Sequence, residues 1–202
     1  MKLFCFAVAL VLLLGCGLAT AQSPATRPDA QSDYEPRSGP GAGQTFLAQF
    51  AGNWNVEKTF LPASAAPVKV SGECKQSMIN GGRFLKSEFV FGSGQDETTG
   101  TGIIGFDAGS GRFTSVWVDS RSTRMSIRQS DDTFDGKEIV LYSRSLNNAT
   151  TQPSRRSHTV TLLEDNGNKI VHRQYVPSPD GSERLVMELI MTRRSPATQP
   201  SR

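Results

Sequence analysis

The chain has 202 residues, of which 37% are hydrophobic and 20% are charged, and its formal net charge is +3 at pH 7. This length favours one domain once the termini are set aside. The basic residues are interleaved with Asp and Glu and form no block, which argues against nucleic acid as the main partner, because phosphate binding needs a concentrated basic surface.

Residues 1–21 have the pattern of a secretory signal peptide. Lys2 precedes an apolar run that is shorter than the roughly 20 residues of a membrane-spanning helix. Cleavage after Ala19-Thr20-Ala21 would give a periplasmic or extracellular protein. Alternatively, Leu13-Leu14-Gly15-Cys16 resembles a bacterial lipobox, and a lipid on Cys16 would then be the only attachment to a membrane. Both alternatives predict export from the cytoplasm.

The two segments that flank the folded part are rich in Ser, Pro, Ala and Gly. Residues 22–43 contain almost no bulky apolar side chain, so they predict a disordered linker, and residues 195–202 predict a disordered tail. The folded domain is therefore predicted to span residues 44–194. Thr45 to Ala51 alone has a helical pattern, with Thr45 as the cap and Gly52 at the end.

After this short helix, apolar side chains recur with a period of two, which is typical of strands. Turn signals rich in Gly, Asn and Asp separate about ten strands, near 53–61, 67–79, 83–91, 98–106, 112–119, 123–130, 137–145, 156–164, 168–176 and 182–193. Consecutive hairpins without crossover helices predict an all-β fold, an antiparallel up-and-down barrel, because closure removes both sheet edges. A two-sheet β-sandwich is the alternative.

One stretch imitates a dinucleotide-binding motif. Gly100-Thr101-Gly102-Ile103-Ile104-Gly105 fits G-x-G-x-x-G, but that motif requires a helix directly after the glycines. Here Phe106 to Gly111 predicts a hairpin turn instead. We therefore interpret the glycines as strand positions that permit either tight curvature or a close approach to the backbone.

Several short motifs together resemble one bacterial family. They are Gly52-Asn53-Trp54, Gly81-Gly82-Arg83-Phe84-Leu85, Gly102-Ile103-Ile104-Gly105-Phe106-Asp107, Ser115-Val116-Trp117-Val118-Asp119-Ser120, and Asp180-Gly181-x-Glu183 leading to Met187-Glu188. On these motifs residues 46–193 resemble the family called domain of unknown function 1579, a relative of the calycin and lipocalin-like β-barrels. The resemblance implies a barrel fold and no established activity.

Five residues are candidates for ligand contacts: Arg83, Trp117, Asp119, Met187 and Glu188. Trp117 shares a strand face with Asp119, and Met187 lies on the apolar face of the last strand. Because buried charges are costly unless paired, Arg83 and Glu188 are predicted to form a polar patch inside the barrel. The alternative places both at the rim or on the outer face in solvated pairs.

The remaining polar residues are interpreted structurally. Cys74 is expected to be a small buried hydrophobe, and Asp107 to cap its own turn. His158 and His172 lie on predicted strands, where one could hold haem, although a hydrogen-bonded or exposed histidine is the favoured interpretation. A set of three arginines is interpreted as a solvated strand edge: Arg121, Arg124 and Arg128.

These observations favour an exported binding protein whose barrel encloses a small, largely apolar ligand. Two alternatives stay open: a small-molecule enzyme that uses Asp119, Glu188 and Arg83, and a cell-envelope interaction protein with a filled barrel. The sequence carries no recognisable cofactor or metal motif, so neither kind of group is predicted.

Overall fold

The computed structural model describes residues 38–144 and 156–195, together with Gln31 and Tyr34. The chain divides after Arg37, and the unit that begins at Ser38 contains the helices and strands described below. The predicted signal peptide, Cys16 and most of the predicted linker and tail lie outside the described residues. No helix in the described ranges is long and apolar enough to cross a bilayer.

Within the described ranges, one α-helix precedes ten strands. The elements are α1 (Ala42–Ala48), β1 (Gly52–Phe60), β2 (Val68–Ile79), β3 (Phe84–Phe91), β4 (Thr98–Asp107), β5 (Arg112–Asp119), β6 (Ser122–Gln129), β7 (Glu138–Arg144), β8 (His158–Glu164), β9 (Lys169–Pro177) and β10 (Glu183–Arg193). The strands form a closed barrel in which each pairs with its neighbours in the sequence and β1 pairs with β10. The predicted up-and-down barrel is confirmed, and the sandwich alternative is wrong.

The strand boundaries agree with the predicted ones to within two residues, but the helix both begins and ends earlier than predicted, and Gly52 belongs to β1. It begins at Ala42 because the side chain of Gln44, which follows the first helical residues, stabilises this end. The Oε1 atom of Gln44 accepts a hydrogen bond of 2.8 Å from the backbone N–H of Gly41. Its Nε2 atom donates to the carbonyl oxygen of Phe106 at 2.7 Å, which fixes the helix against β4.

Helix α1 and the residues that follow it close one end of the barrel, called here the helix end. Leu47, Phe50 and Trp54 are almost completely buried there, and the Nε1 atom of Trp54 donates to the carbonyl oxygen of Phe50 at 3.0 Å. The guanidinium of Arg193 lies 4.2 Å from the centre of the Trp54 ring and donates to the carbonyl oxygen of Ala51. Trp54 therefore has a structural role in closing the barrel.

The up-and-down order places alternate connections at opposite ends of the barrel. The turns at 80–83, 108–111 and 165–168 lie at the helix end, beside the start of β1. The connections at 61–67, 92–97, 120–121 and 178–182 lie at the other end, called here the rim. This division decides which candidate residues can meet.

Candidate functional site

A cavity of about 450 Å³ lies inside the barrel. Its lining extends from Leu47 and Phe50 at the helix end to Phe60 and Arg121 at the rim. Most of the wall is apolar and includes Leu85, Phe89, Ile104, Leu141, Ile170, Met187 and Leu189. The volume falls within the range of roughly 300–1,000 Å³ that small-molecule sites occupy. Since a water molecule takes about 30 Å³ in the liquid, the cavity has room for a molecule of about fifteen non-hydrogen atoms.

Trp117 forms part of the cavity wall and lies flat against the glycines of β4. A Cβ atom on Gly100 would lie 2.3 Å from the Trp117 ring, so a larger side chain there would displace the ring. The indole Nε1 atom donates to Oδ2 of Asp119 at 2.9 Å, and Phe89 packs edge-on with a centroid distance of 5.5 Å. Backbone, hydrogen bond and ring contact together fix the orientation of the indole.

The glycine motif is thereby explained without a dinucleotide. Gly100 and Gly102 accommodate the ring of Trp117 inside the barrel, whereas Gly105 accommodates Phe84 on the outer face, where a Cβ atom would lie 2.6 Å from the Phe84 ring. All three glycines lie within β4, and β4 continues into a hairpin with β5. The sequence-based interpretation of these glycines as sites of close approach is confirmed.

Charged side chains converge at the rim of the cavity. The carboxylate of Asp119 accepts hydrogen bonds from the Trp117 indole and from the backbone N–H of Arg121, and the indole bond is the main cause of its lowered pKa. The ammonium of Lys58 lies 4.4 Å from the centre of the Phe91 ring. Burial lowers the pKa of Lys58, while the charge of Asp119 acts in the opposite direction.

Arg128 and His172 provide polar groups farther inside the barrel. Arg128 lies on β6 opposite Ser115 of β5, and burial lowers the pKa of its guanidinium. On β9, His172 has its Nδ1 atom 2.8 Å from the hydroxyl of Thr161. Burial, followed by the charge of Arg128, lowers the pKa of His172 to about 4, so its ring is neutral at pH 7.

A third polar group in the wall consists of Gln76 and Ser87. The Nε2 atom of Gln76 donates to the Ser87 hydroxyl at 2.9 Å, in a buried position. The Oε1 atom of Gln76 is also buried and has no hydrogen-bond partner among the described residues. The cavity therefore combines a mainly apolar surface with many polar side chains, which also include Ser126, Thr159 and Gln174. Polar groups at fixed positions in an apolar cavity can orient a small organic molecule.

The structure places three of the five predicted contact residues at the cavity: Trp117, Asp119 and Met187. Glu188 instead points outward and forms an ion pair of 2.7 Å with Nε of Arg173. Arg83 lies at the helix end, where its guanidinium donates to the carbonyl oxygen of Ser38 at 3.0 Å. The expectation of an internal polar patch built from Arg83 and Glu188 is therefore corrected.

The three residues of the enzyme alternative do not converge. Asp119 lies at the rim, Arg83 at the opposite end, and Glu188 on the outer face of β10. A single substrate cannot contact all three, because the barrel wall separates them. Within the described ranges, no cluster of three or more His, Cys, Asp and Glu side chains is arranged to hold a metal ion.

The two histidines lie on opposite faces of the barrel wall. His172 lines the cavity, whereas His158 packs outside it, with its ring stacked on Tyr175 at a centroid distance of 4.9 Å and its Nδ1 atom 3.4 Å from Glu183. Cys74 is buried in the core, and burial raises the pKa of its thiol to about 12. The interpretation of Cys74 as a small hydrophobic side chain is confirmed.

Sequence reasoning missed the inward position of Arg128. It grouped Arg128 with Arg121 and Arg124 as a solvated strand edge, and this is wrong for Arg128. Arg121 and Arg124 are both exposed, although Arg121 also borders the rim of the cavity, whereas Arg128 lines its interior. The useful signal was strand pairing, because Arg128 lies opposite Ser115, which shares its face with Trp117.

Comparison with known proteins supports the fold. The family described as "Protein of unknown function (DUF1579)" matches residues 39–193. The solved structure of Rv2717c from M. tuberculosis is similar, with a TM-score of 0.54 and 12% identity over 78% of this chain and 100% of that chain. The S-type phycobiliprotein lyase CPES from Guillardia theta has a TM-score of 0.50 and 8% identity over 76% and 93% of the two chains. No curated protein sequence matches the chain. At these identities the structural likeness shows a shared barrel fold.

Proposed function

The chain belongs to the DUF1579 family of proteins of unknown function, and we propose that it is a binding protein that holds a small, largely apolar molecule inside its barrel. The observation that carries this proposal is the cavity of about 450 Å³ with its predominantly apolar wall. A cell-envelope protein that acts only through its outer surface would have no need of such a cavity, because side chains could fill the interior of the barrel.

The energetic basis for binding is the removal of apolar surface from water. Each square ångström of apolar surface that leaves water contributes about 25 cal/mol, and an enclosed cavity buries most of a small ligand. Phe89, Leu141 and Leu189 provide such surface. The fixed indole of Trp117 adds a flat, rigid contact that is already oriented, so little conformational entropy is lost on binding.

A pair of variants on adjacent residues of β5 tests this proposal. Ser115 lines the cavity and Thr114 is exposed on the outer face, so Ser115→Phe reduces the cavity while Thr114→Phe adds the same ring outside. Wild-type protein and both variants would be purified from the native host and measured by native mass spectrometry. Uptake of 1-aminonaphthalene, a neutral apolar dye with fewer non-hydrogen atoms than the roughly fifteen that the cavity allows, would be followed by its fluorescence.

We expect a retained small molecule, and dye uptake, in the wild type and in Thr114→Phe, and a clear loss of both in Ser115→Phe. Circular dichroism would establish that all three proteins are folded. The proposal fails when the wild type retains no small molecule and takes up no dye. It also fails when Ser115→Phe binds as well as the wild type does, because binding would then occur outside the cavity.

We also propose that the protein is exported, on the strength of the signal-peptide pattern at residues 1–21. The mass of the mature protein distinguishes the two cleavage alternatives: a first residue at Gln22 indicates ordinary cleavage, and a lipid-modified Cys16 indicates a lipoprotein. A Cys16→Ala variant should change the mature mass only in the second case. A cytoplasmic protein that retains residues 1–21 would contradict export.

A further inference from the structure

The cavity is lined by more positively than negatively charged side chains. Among the described lining residues, Lys58, Arg121 and Arg128 are cationic, whereas Asp119 contributes the single carboxylate. That carboxylate lies at the rim, where it already accepts hydrogen bonds from the Trp117 indole and the Arg121 backbone. Burial lowers the pKa of Lys58, and the charge of this carboxylate acts in the opposite direction. Arg128 is therefore left without a counter-charge inside the barrel.

Arg128 differs from the other residues with an unpartnered buried polar atom. Gln76 bonds to Ser87, Arg144 pairs with Asp131, and His158 lies 3.4 Å from Glu183. For Arg128 the buried Nε has no partner, and its guanidinium makes no hydrogen bond or ion pair to any residue in the described part of the chain. Arg128 as a whole is half-buried, and a partly buried guanidinium without a partner still carries a desolvation cost, so its retention inside a cavity points to a partner supplied by a ligand.

None of the described residues bonds to the guanidinium of Arg128 and so offsets the cost of removing its charge from water. Arg128 lies in the ladder between β5 and β6, and no backbone carbonyl of a described residue accepts a hydrogen bond from its guanidinium. His172, whose pKa is lowered by burial and then by the charge of Arg128, is neutral at pH 7 and offers no negative charge. The cavity therefore presents an interior positive charge that has no counter-charge among the described residues. The neighbouring side chains of Ser115 and Ser126 are polar but make no hydrogen bond to it.

We propose that Arg128 binds the carboxylate of an amphipathic organic acid whose apolar part fills the remainder of the cavity. This inference rests on the proposed function and specifies the chemical class of its ligand. The planar fork of a guanidinium matches a carboxylate and can donate two parallel hydrogen bonds to it. A single interior cation balances one negative charge, whereas a phosphate monoester would call for a second cation, and Lys58 and Arg121 lie toward the rim.

The test compares two probes that differ only in the polar head group, decanoate and decanol. Both have fewer non-hydrogen atoms than the roughly fifteen that the cavity volume allows. Their affinities for the wild type, Arg128→Met and the matched control Arg124→Met would be measured by isothermal titration calorimetry at about pH 7.5, where the acid is ionised. Arg124 lies on the same strand and is exposed, so it controls for the loss of a positive charge alone.

We expect the wild type and Arg124→Met to bind decanoate about 10- to 100-fold more tightly than decanol, the usual strength of hydrogen bonds to a charged group. Arg128→Met should bind both probes with similar affinity, because the apolar wall is unchanged. If Arg128→Met does not fold, Arg128→Lys replaces it. Lysine keeps the charge without the fork, so the preference for decanoate should fall by several-fold.

The possible failures are distinguishable. Equal binding of decanoate and decanol to the wild type overturns the role of Arg128 and leaves the proposed binding function intact. A preference that persists in Arg128→Met, or one that Arg124→Met loses to the same extent, also overturns the role of Arg128. Binding of neither probe to the folded wild type overturns this inference together with the binding function on which it rests.

Discussion

Replacing Arg128 with methionine should stabilise the protein in the absence of ligand. Methionine is similar in length, flexible and apolar, so it can occupy the same space without a charge. Arg128 has a buried Nε atom with no partner among the described residues, and a buried polar group in this state costs about 1–3 kcal/mol. Burial lowers the pKa of Arg128, which points in the same direction. We therefore expect the free energy of unfolding to rise by about 1–3 kcal/mol.

Urea unfolding followed by circular dichroism measures this change, and a thermal scan provides a second value. For a domain of this size, 1 kcal/mol raises Tm by about 2–4 °C. The exposed Arg124→Met variant is the control and should remain within about 0.5 kcal/mol of the wild type. Decanoate at 100 times its Kd should then stabilise the wild type by about 2.7 kcal/mol and Arg128→Met much less.

The reasoning is refuted if Arg128→Met loses 1 kcal/mol or more while Arg124→Met is unchanged. Arg128 would then make a stabilising interaction within the folded protein, and it would have no need of a ligand carboxylate. A stabilised Arg128→Met that no longer prefers the acid would show instead that the protein sacrifices stability for binding at this position, as functional sites commonly do.

Three further predictions address other parts of the barrel. The pKa of His172 falls from about 6.5 in the unfolded chain to about 4 in the folded protein, so the stability that the neutral ring contributes is complete above pH 6.5, and about 3 kcal/mol of it is lost as the pH falls to 4. In urea unfolding, a His172→Asn variant should therefore lose about 3 kcal/mol less than the wild type over this pH range. Parallel stability curves for the two proteins would contradict this. Gly100→Ala should lower the free energy of unfolding by about 1–3 kcal/mol and shift the fluorescence emission of Trp117, because the new Cβ would meet the indole ring. Gly102→Ala is the control, since its Cβ would lie 3.4 Å from the ring, and it should change neither quantity by much. Equal effects of the two variants would disprove the close contact between Gly100 and Trp117. Cys74 should react with a thiol reagent at pH 8 only on unfolding, as peptide mapping can establish, and rapid labelling of the folded protein would show that it is accessible.

The fold could be predicted from sequence because its strands follow a simple local rule. Alternation of apolar side chains and glycine-rich turns located ten strands, and the absence of crossover helices required consecutive antiparallel pairing. The early start of α1 was missed because its first residues, Ala42 and Gly43, lie in a stretch of low hydrophobicity. That start depends on contacts of Gln44 with Gly41 and with the distant Phe106, and local composition does not reveal the second of these.

The candidate site was harder to predict because one strand reverses the usual pattern. On β6 the polar Ser126 and Arg128 face the cavity, opposite Trp117 and Ser115, while Met125 is 51% exposed on the other side of the strand. Hydrophobicity alone assigns these faces the other way round. Only the pairing with β5 shows the true orientation, and that pairing contains a register shift at the rim.

The wrong placements of Glu188 and Arg83 could have been avoided, because the sequence already contained the information needed to place them. Glu188 alternates with Met187 and Leu189, so the apolar face of β10 already placed its carboxylate outside. Arg83 follows two glycines in a turn, and side chains in a turn at the helix end cannot reach the middle of the barrel. Lys58, in contrast, shares the inward face of β1 with Trp54, so period two was sufficient to place it in the cavity.

The polar side chains of the barrel differ in whether the protein itself supplies their partners. At the helix end, the Trp54 indole has a carbonyl partner and Arg193 donates to several backbone oxygens, so these groups support the packing. Four buried side-chain atoms have no partner among the described residues, on Gln76, Arg128, Arg144 and His158. Gln76 still donates to Ser87, Arg144 pairs with Asp131, and His158 lies 3.4 Å from Glu183. Of these four residues, Arg128 is the one whose side chain makes no hydrogen bond or ion pair to a described residue, and it lines the cavity. Such a residue is expected where the missing partner belongs to a ligand, since a ligand can compensate the polar group and bury the apolar wall in one step.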